Sequence, residues 1–322
     1  MHRVTIVIGA YGKPLELQKT LKSLVGQLDN GLHVLIIDDN CPSNKIVVDE
    51  TAKVVNNFST KLDITFIKNK TRVGVPYVFK KWINSVAAEF IMLYGDGDIM
   101  LPGSLIKLLE CLDNNPQAAL AHGFEAPSID SIPNASGKVT LIDSKEYLKT
   151  NLIGGAYQWS QMSCLIRTEA LKLKTEVVKD WYWDHYFHCQ IHLFSDQICS
   201  LDESVVIRGS NEVAQKAPLD NNKIFRHHSE RKLQSLDFMN KYERVLLYKK
   251  IPINYYRLII VSNLIIEFFF ITSVSKKMLI LRKVSGELLG MFSSFLISLL
   301  SYPFTLLATI FLKIINKALN KK

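Results

Sequence analysis

Four short apolar runs, Val4–Ala10, Val34–Ile37, Ile64–Ile67 and Phe90–Tyr94, alternate with stretches of helical spacing, and this rhythm narrows the fold more than any other feature. Runs this short and this rich in Val, Ile and Phe read as strands buried on both faces, the condition of a parallel sheet covered by helices. Between them, Pro14–Gln27 carries Leu17, Leu21 and Leu24 at helical spacing, and further helices are expected within Lys45–Phe58 and Pro76–Ala87. Such alternation builds right-handed βαβ units, so the expected class is α/β, a mostly parallel sheet flanked by helices. Downstream, the pattern predicts a helix over Pro102–Leu112, a loop through Pro127, Pro133, Asn134 and Gly137, a strand over Ser160–Ile166, a helix over Trp183–Phe194 and a strand pair over Ile198–Ile207.

Two of the apolar runs end in carboxylates: Asp38-Asp39 follows Val34–Ile37, and Asp96-Gly97-Asp98 follows Phe90–Tyr94. Ligands of open parallel sheets bind beyond the carboxyl ends of the strands, so both clusters are expected to face one crevice. Hard cations such as Mg²⁺ and Mn²⁺ prefer carboxylate oxygens, and such a cation bridges a diphosphate well. An isolated Asp-Gly-Asp is more often a solvated turn, and Asp38 alone suits a helix N-cap. The strand-end setting favours a site, with Asp96 and Asp98 as candidate metal ligands.

Taken in order, Val4–Tyr11, Leu21–Gln27, Ile36–Asn40 and Asp96–Leu105 resemble the family 2 glycosyltransferases of the GT-A fold, over about residues 1–210. The resemblance implies an inverting, metal-dependent transfer from a nucleotide-diphosphate sugar. It implies that Asp38 accepts a hydrogen bond from the base, with Asp39 holding base or ribose, and that Ala10, Tyr11 and the Arg72 loop lie beside the nucleotide. Asp98 is then the stronger metal ligand, and Asp96 contacts metal or ribose. Asp184, in Trp183-Asp184-His185-Tyr186, falls where the family carries its catalytic base, with Asp180 one turn upstream as rival. Arg208 either grips a phosphate or is an ordinary surface arginine. Cys41-Pro42-Ser43 and Gly97 depart from the family pattern. No Gln-x-x-Arg-Trp occurs, which favours one sugar per encounter over processive synthesis.

Rival readings stand beside this one. A catalytically inactive nucleotide-sugar-binding scaffold would account for the two departures. A nucleotidyltransferase would need a first loop richer in Gly, Lys and Arg than Gly9–Pro14. His185, His188 and His192 share a helix face at i, i+3, i+7, a spacing that suits zinc, although partly buried histidines without a fourth ligand are the commoner outcome.

Composition locates the rest. The chain of 322 residues exceeds one ordinary core, and three segments are expected: a nucleotide-sugar half over 1–95, a metal and acceptor half over 96–222, and a helical linker with apolar tail over 223–322. The 48% hydrophobic content concentrates after Leu258, and Leu288–Leu312 contains no Lys, Arg, Asp or Glu. Lysines and arginines flank that tail on both sides, so the net charge of +9 points to an anionic membrane surface rather than nucleic acid. Basic flanks on both sides favour a re-entrant or interfacial hairpin at the cytoplasmic face over a single span. A lipid-linked or cell-surface polysaccharide acceptor follows. Five scattered cysteines without a C-x-x-C pair fit a reducing compartment, and no secretory signal opens the chain.

Overall fold

The computed structural model describes residues 2–28, 30–39, 45–74, 83, 85–153, 160–172, 183–209, 232–248, 250–270, 284 and 287–288. Two compact units emerge, Met1–Leu219 and Asp220–Lys322.

The first unit is built on a nine-stranded sheet. Its strands are β1 (Val4–Ala10), β2 (Leu32–Asp38), β3 (Asp63–Lys68), β4 (Phe90–Gly95), β5 (Ile99–Met100), β6 (Ala118–Ala126), β7 (Val139–Asp143), β8 (Cys164–Arg167) and β9 (Gln197–Ile207). The spatial order is β3-β2-β1-β4-β8-β6-β9-β5, with β7 paired to β9. The first four strands pair parallel. β8 then runs antiparallel to both β4 and β6, and β9 runs parallel to β6. Six helices accompany the sheet among the described residues: α1 (Pro14–Leu24), α2 (Lys45–Phe58), α3 (Ser104–Asn114), α4 (Ser144–Leu152), α5 (Thr168–Lys172) and α6 (Trp183–Phe194).

Strand alternation divides the core into two layers. Val4, Ile6, Ile8, Val34, Ile36, Phe90, Met92 and Tyr94 pack with Leu17, Leu21 and Leu24 of α1 and Leu105, Leu108, Leu109 and Leu112 of α3. On the other face Val7, Leu35, Ile37, Ile91 and Leu93 pack with Leu171, Phe187 and Ile191 of α5 and α6. A period of two with apolar residues on both faces is what a doubly covered sheet requires.

Several elements differ from expectation. The segment read as a strand over Ser160–Ile166 is a short 3₁₀ turn at Gln161–Ser163 followed by β8, because the Ser160 hydroxyl caps the turn by accepting from Met162 N. The expected strand pair at the C-terminal end is the single strand β9, which accepts β6 on one side and β5 and β7 on the other. β6, β7 and α4 lie where the sequence read mainly as loop. The Ala-rich, Gly-containing run of β6 lacks the β-branched signature, and it is held by Cα pairing with β9 at both ends, Ala118 to Gln197 and Ala126 to Ile207. The helix expected within Pro76–Ala87 lies mostly outside the described residues.

The second unit contains a helical stretch at 232–241, α7 (Glu243–Tyr248) and α8 (Ile253–Phe270). Arg257 joins these pieces: its Nη2 donates to Asn240 Oδ1 at 2.5 Å, and its Nη1 and Nε lie 3.4 and 3.7 Å from Glu243 and Glu287. Among the described residues no helix is long and apolar enough to cross a membrane. The run Leu288–Leu312 lies outside the described residues except for Leu288.

Candidate active site

Pairing register sets one edge of the sheet. Ala10 stands beside Asp38, Asp38 beside Lys68, and Gly9 beside Gly95. Two successive antiparallel steps make β6 parallel to β4, and β9 is parallel to β6, so Glu125, Ala126 and Arg208 reach the same edge as Asp38 and Asp96. Six strands, β1, β2, β3, β4, β6 and β9, therefore point their carboxyl ends the same way, toward one edge.

At the β1–β2 end, Asp38 is almost fully buried and Asp39 nearly so. The Asp39 carboxylate organises the loop after β3. Its Oδ1 accepts from Asn69 Nδ2 and Val73 N, both at 2.9 Å, and its Oδ2 accepts from Gly74 N at 2.8 Å. Three donors on one carboxylate fix the loop that carries Arg72. The Arg72 guanidinium lies 4.3 Å from the centroid of the Tyr11 ring, which is about half exposed. A flat cation stacked on an open aromatic face makes a platform for a planar base or an anion.

At the β4 end the chain turns through Asp96, Gly97 and Asp98. Asp96 Oδ2 accepts from Tyr11 N at 3.0 Å, which ties it to the β1 turn. Asp98 faces the other way, with Oδ1 accepting from Gly209 N at 2.9 Å and Oδ2 from Gly95 N at 3.1 Å. Gly97 adopts φ +107, a conformation L side chains rarely take, and its backbone lies against that of Gly209. A Cβ on Gly209 would meet Gly97 C at 2.6 Å, so neither position tolerates a side chain without backbone movement. This geometry gives Gly97 a reason that needs no loss of activity.

Burial shapes the charge. It pushes the Asp96 carboxyl up to about 6, opposed by the Tyr11 amide and by Lys13. Burial also raises Asp98 above the usual carboxylate range; the Gly209 and Gly95 amides and Arg208 oppose it, and Glu125 adds to it. The buried Tyr94 hydroxyl, raised by burial and then by Asp98 and Glu125, has no hydrogen-bond partner among the described residues. Glu125 in turn lies 3.8 Å from Arg208 Nη1, and Arg208 is mostly exposed, so that pair is weak and open to exchange.

The residues present suit a divalent cation. Asp96 and Asp98 offer hard oxygen donors, each carboxylate keeps lone-pair capacity beyond the amides it accepts, and ionising both in a buried turn is costly without a nearby positive charge. Mg²⁺ and Mn²⁺ commonly use one or two carboxylates and take their remaining ligands from substrate phosphate and water. Of the histidine triad, the His185 side chain lies outside the described residues. The His192 ring Nδ1 is 3.2 Å from Ser144 Oγ, its ring centroid is 6.4 Å from that of His188, and burial lowers its pKa to about 3. No group of three or more His, Cys, Asp or Glu able to hold a metal occurs among the described residues. Asp184 lies in the first turn of α6, its side chain outside the described set, as is the whole of Asp180.

Sequence reasoning missed Glu125, which sits in a run with no acidic motif, and Gly209, which only the β5–β9 pairing brings to Asp98. It also read Leu21–Gln27 as a family signature without its role. Thr20 and Ser23 of α1 and Gln27 in the turn after it bond the 97–105 backbone.

A family profile described as Glycosyl transferase family 2 matches residues 5–171. Among solved structures, TarS from S. aureus is 17% identical with a TM-score of 0.52, covering 75% of this chain and 43% of that one. The chain thus spans less than half of that protein's length. TarS 1–349 in complex with UDP-GlcNAc is 14% identical with a TM-score of 0.53, covering 83% and 81% of the two chains. The mannosyltransferase PcManGT from Pyrobaculum calidifontis, in complex with GDP-Man and Mn²⁺, is 11% identical with a TM-score of 0.51, covering 89% and 80%. These likenesses agree on the fold, a mixed α/β sheet flanked by helices of the GT-A type.

Proposed function

This chain belongs to glycosyl transferase family 2, and from that premise we propose that it moves a single sugar from a nucleotide-diphosphate donor to a lipid-linked or cell-surface saccharide acceptor, with inversion at the anomeric carbon. The observation that carries the proposal is the convergence of Asp38, the Tyr11–Arg72 stack and the Asp96–Asp98 turn at one sheet edge. The UDP-GlcNAc and GDP-Man held by the two structural relatives support a nucleotide-sugar donor.

In this reading Asp38 accepts a hydrogen bond from the base, Tyr11 and Arg72 border it, and Asp39 acts through the loop it holds. Asp96 and Asp98 hold Mn²⁺ or Mg²⁺. The cation, when bound, neutralises charge on the departing diphosphate. Arg208 is free to leave Glu125 for a phosphate oxygen. Asp184 takes the proton from the acceptor hydroxyl as its oxygen bonds to the anomeric carbon and the bond to the diphosphate breaks. The three-part domain division, 1–95, 96–222 and 223–322, follows these roles. The apolar, lysine-flanked tail supports attachment to the cytoplasmic face of the membrane, which places the enzyme beside a lipid-linked acceptor.

The test is release of nucleotide diphosphate from a panel of UDP- and GDP-sugars, with Mn²⁺ and with chelator. One donor should turn over, and only with the cation. No turnover of any donor, together with no nucleotide binding, would overturn the proposal.

A further inference from the structure

The α1 helix carries a polar ladder beside its apolar stripe. Thr20 and Ser23 stand three residues apart on the side of α1 that looks toward residues 97–105, and Gln27 follows in the turn after the helix, beyond the extended Val25 and the left-handed Gly26. Four backbone groups of that segment end on them: Gly97 N donates to Thr20 Oγ1 at 2.8 Å, Met100 N to Ser23 Oγ at 3.0 Å, and Leu105 N to Gln27 Oε1 at 3.5 Å, while Gln27 Nε2 donates to Leu101 O at 2.9 Å.

The two hydroxyls are oriented as well as placed. Thr20 Oγ1 donates its proton to Glu16 O at 3.3 Å, and Ser23 Oγ donates to Thr20 O at 2.7 Å. With their protons committed to helix carbonyls, both present lone pairs to the segment. Thr20 is fully buried, so the Gly97 amide it accepts has no water to replace it.

That amide lies between the two carboxylates. Asp96 is tethered on one side to β1 through Tyr11, and Asp98 on the other to β9 through Gly209. The hinge between these tethers is Gly97, at φ +107, and its one amide is held by Thr20. We propose that Thr20 is a positioning residue for the Asp96–Asp98 pair, whose hydroxyl sets the turn between the two carboxylates and thereby the affinity for a divalent cation. The inference rests on the reading of that pair as the cation site.

The experiment measures Mn²⁺ binding directly, through the loss of the free-ion spin resonance signal at saturating UDP, alongside thermal stability. Thr20→Val keeps the volume and removes the acceptor, and should weaken Mn²⁺ about tenfold or more, the usual scale for a group that orients a ligand. Thr20→Ser should restore the affinity. Ser23→Ala removes a neighbouring rung that holds Met100, beyond the pair, and should lower stability while Mn²⁺ binds nearly as in the wild type. If Thr20→Val does not fold, Thr20→Ala takes its place with the same expectation. Wild-type Mn²⁺ affinity in the folded Thr20 variant, or equal loss in the Thr20 and Ser23 variants, overturns the inference. A wild-type protein that binds UDP but no Mn²⁺ would instead remove the cation reading on which it rests.

Discussion

The two halves of the sheet present their functional groups by different means. In the parallel half, β1 to β4, the strands carry the work: bulky side chains fill both faces, and register alone sets Ala10, Asp38 and Gly95 at the edge. In the mixed half, β5 is only two residues long and β6 is Ala- and Gly-rich, so few bulky side chains mark these strands. The Asp96–Asp98 turn at the junction is positioned by hydrogen bonds to Tyr11, Thr20, Gly95 and Gly209. Apolar burial tolerates small shifts, whereas buried hydrogen bonds fail abruptly when one partner is lost. The fold around the β1–β2 end should therefore survive substitution, and the Asp96–Asp98 turn should be brittle.

The sharpest break is expected at the chemistry. Asp184→Asn should lower transfer by about 10²–10⁴-fold and leave UDP binding near wild type, since a base acts on the acceptor. Steady-state transfer and calorimetry check this; a larger loss in Asp180→Asn would move the base there.

At the brittle end, Gly97→Ala forces an L side chain to φ +107 and toward Glu16 Oε2, 3.3 Å from the new Cβ. A cost of about 1–3 kcal/mol in thermal or denaturant unfolding is expected, together with weaker Mn²⁺ binding. At the robust end, Asp39→Ala strips three donors of their acceptor and should release the 69–74 loop, weakening UDP binding while the fold survives. Calorimetry reads the first effect and thermal unfolding the second. Arg72→Ala, which removes only the stack on Tyr11, should cost a few-fold in UDP affinity, about 0.5–1 kcal/mol.

A smaller effect comes from the other face. Burial lowers His122 to about 4, so the folded state keeps it neutral while the unfolded chain protonates it near 6.5. Its contribution is complete above about pH 6.5 and is lost as pH falls toward 4. Asp96, raised to about 6, has the opposite sign and is relieved over part of that window. Comparing the slopes of unfolding midpoint against pH separates them: between pH 6.5 and 5 the slope should be less positive in His122→Gln than in wild type, and an unchanged slope would contradict the assignment.

The same contrast explains what the sequence disclosed. β1, β2 and β4 were legible because Val, Ile, Leu and Phe at period two leave few alternatives to a covered parallel sheet, and the carboxylates at their ends followed from topology. β6 was hidden because alanine carries no strand preference and its order comes from pairing with β9. Glu125 and Gly209 reach the site through contacts more than 80 residues distant in sequence, such as Asp98 to Gly209 at a separation of 111, which no local pattern encodes. Thr20 sat in plain view, but a threonine on a helix announces no partner.

The central claim is that the carboxylates at this edge bind a divalent cation and a nucleoside diphosphate together. Calorimetric titration of UDP into the wild type and into Asp98→Asn, each with and without Mn²⁺, tests it most directly. The account predicts that Mn²⁺ tightens UDP about tenfold or more in the wild type and has little effect in the variant. Equal UDP affinity with and without Mn²⁺ in the wild type would contradict it.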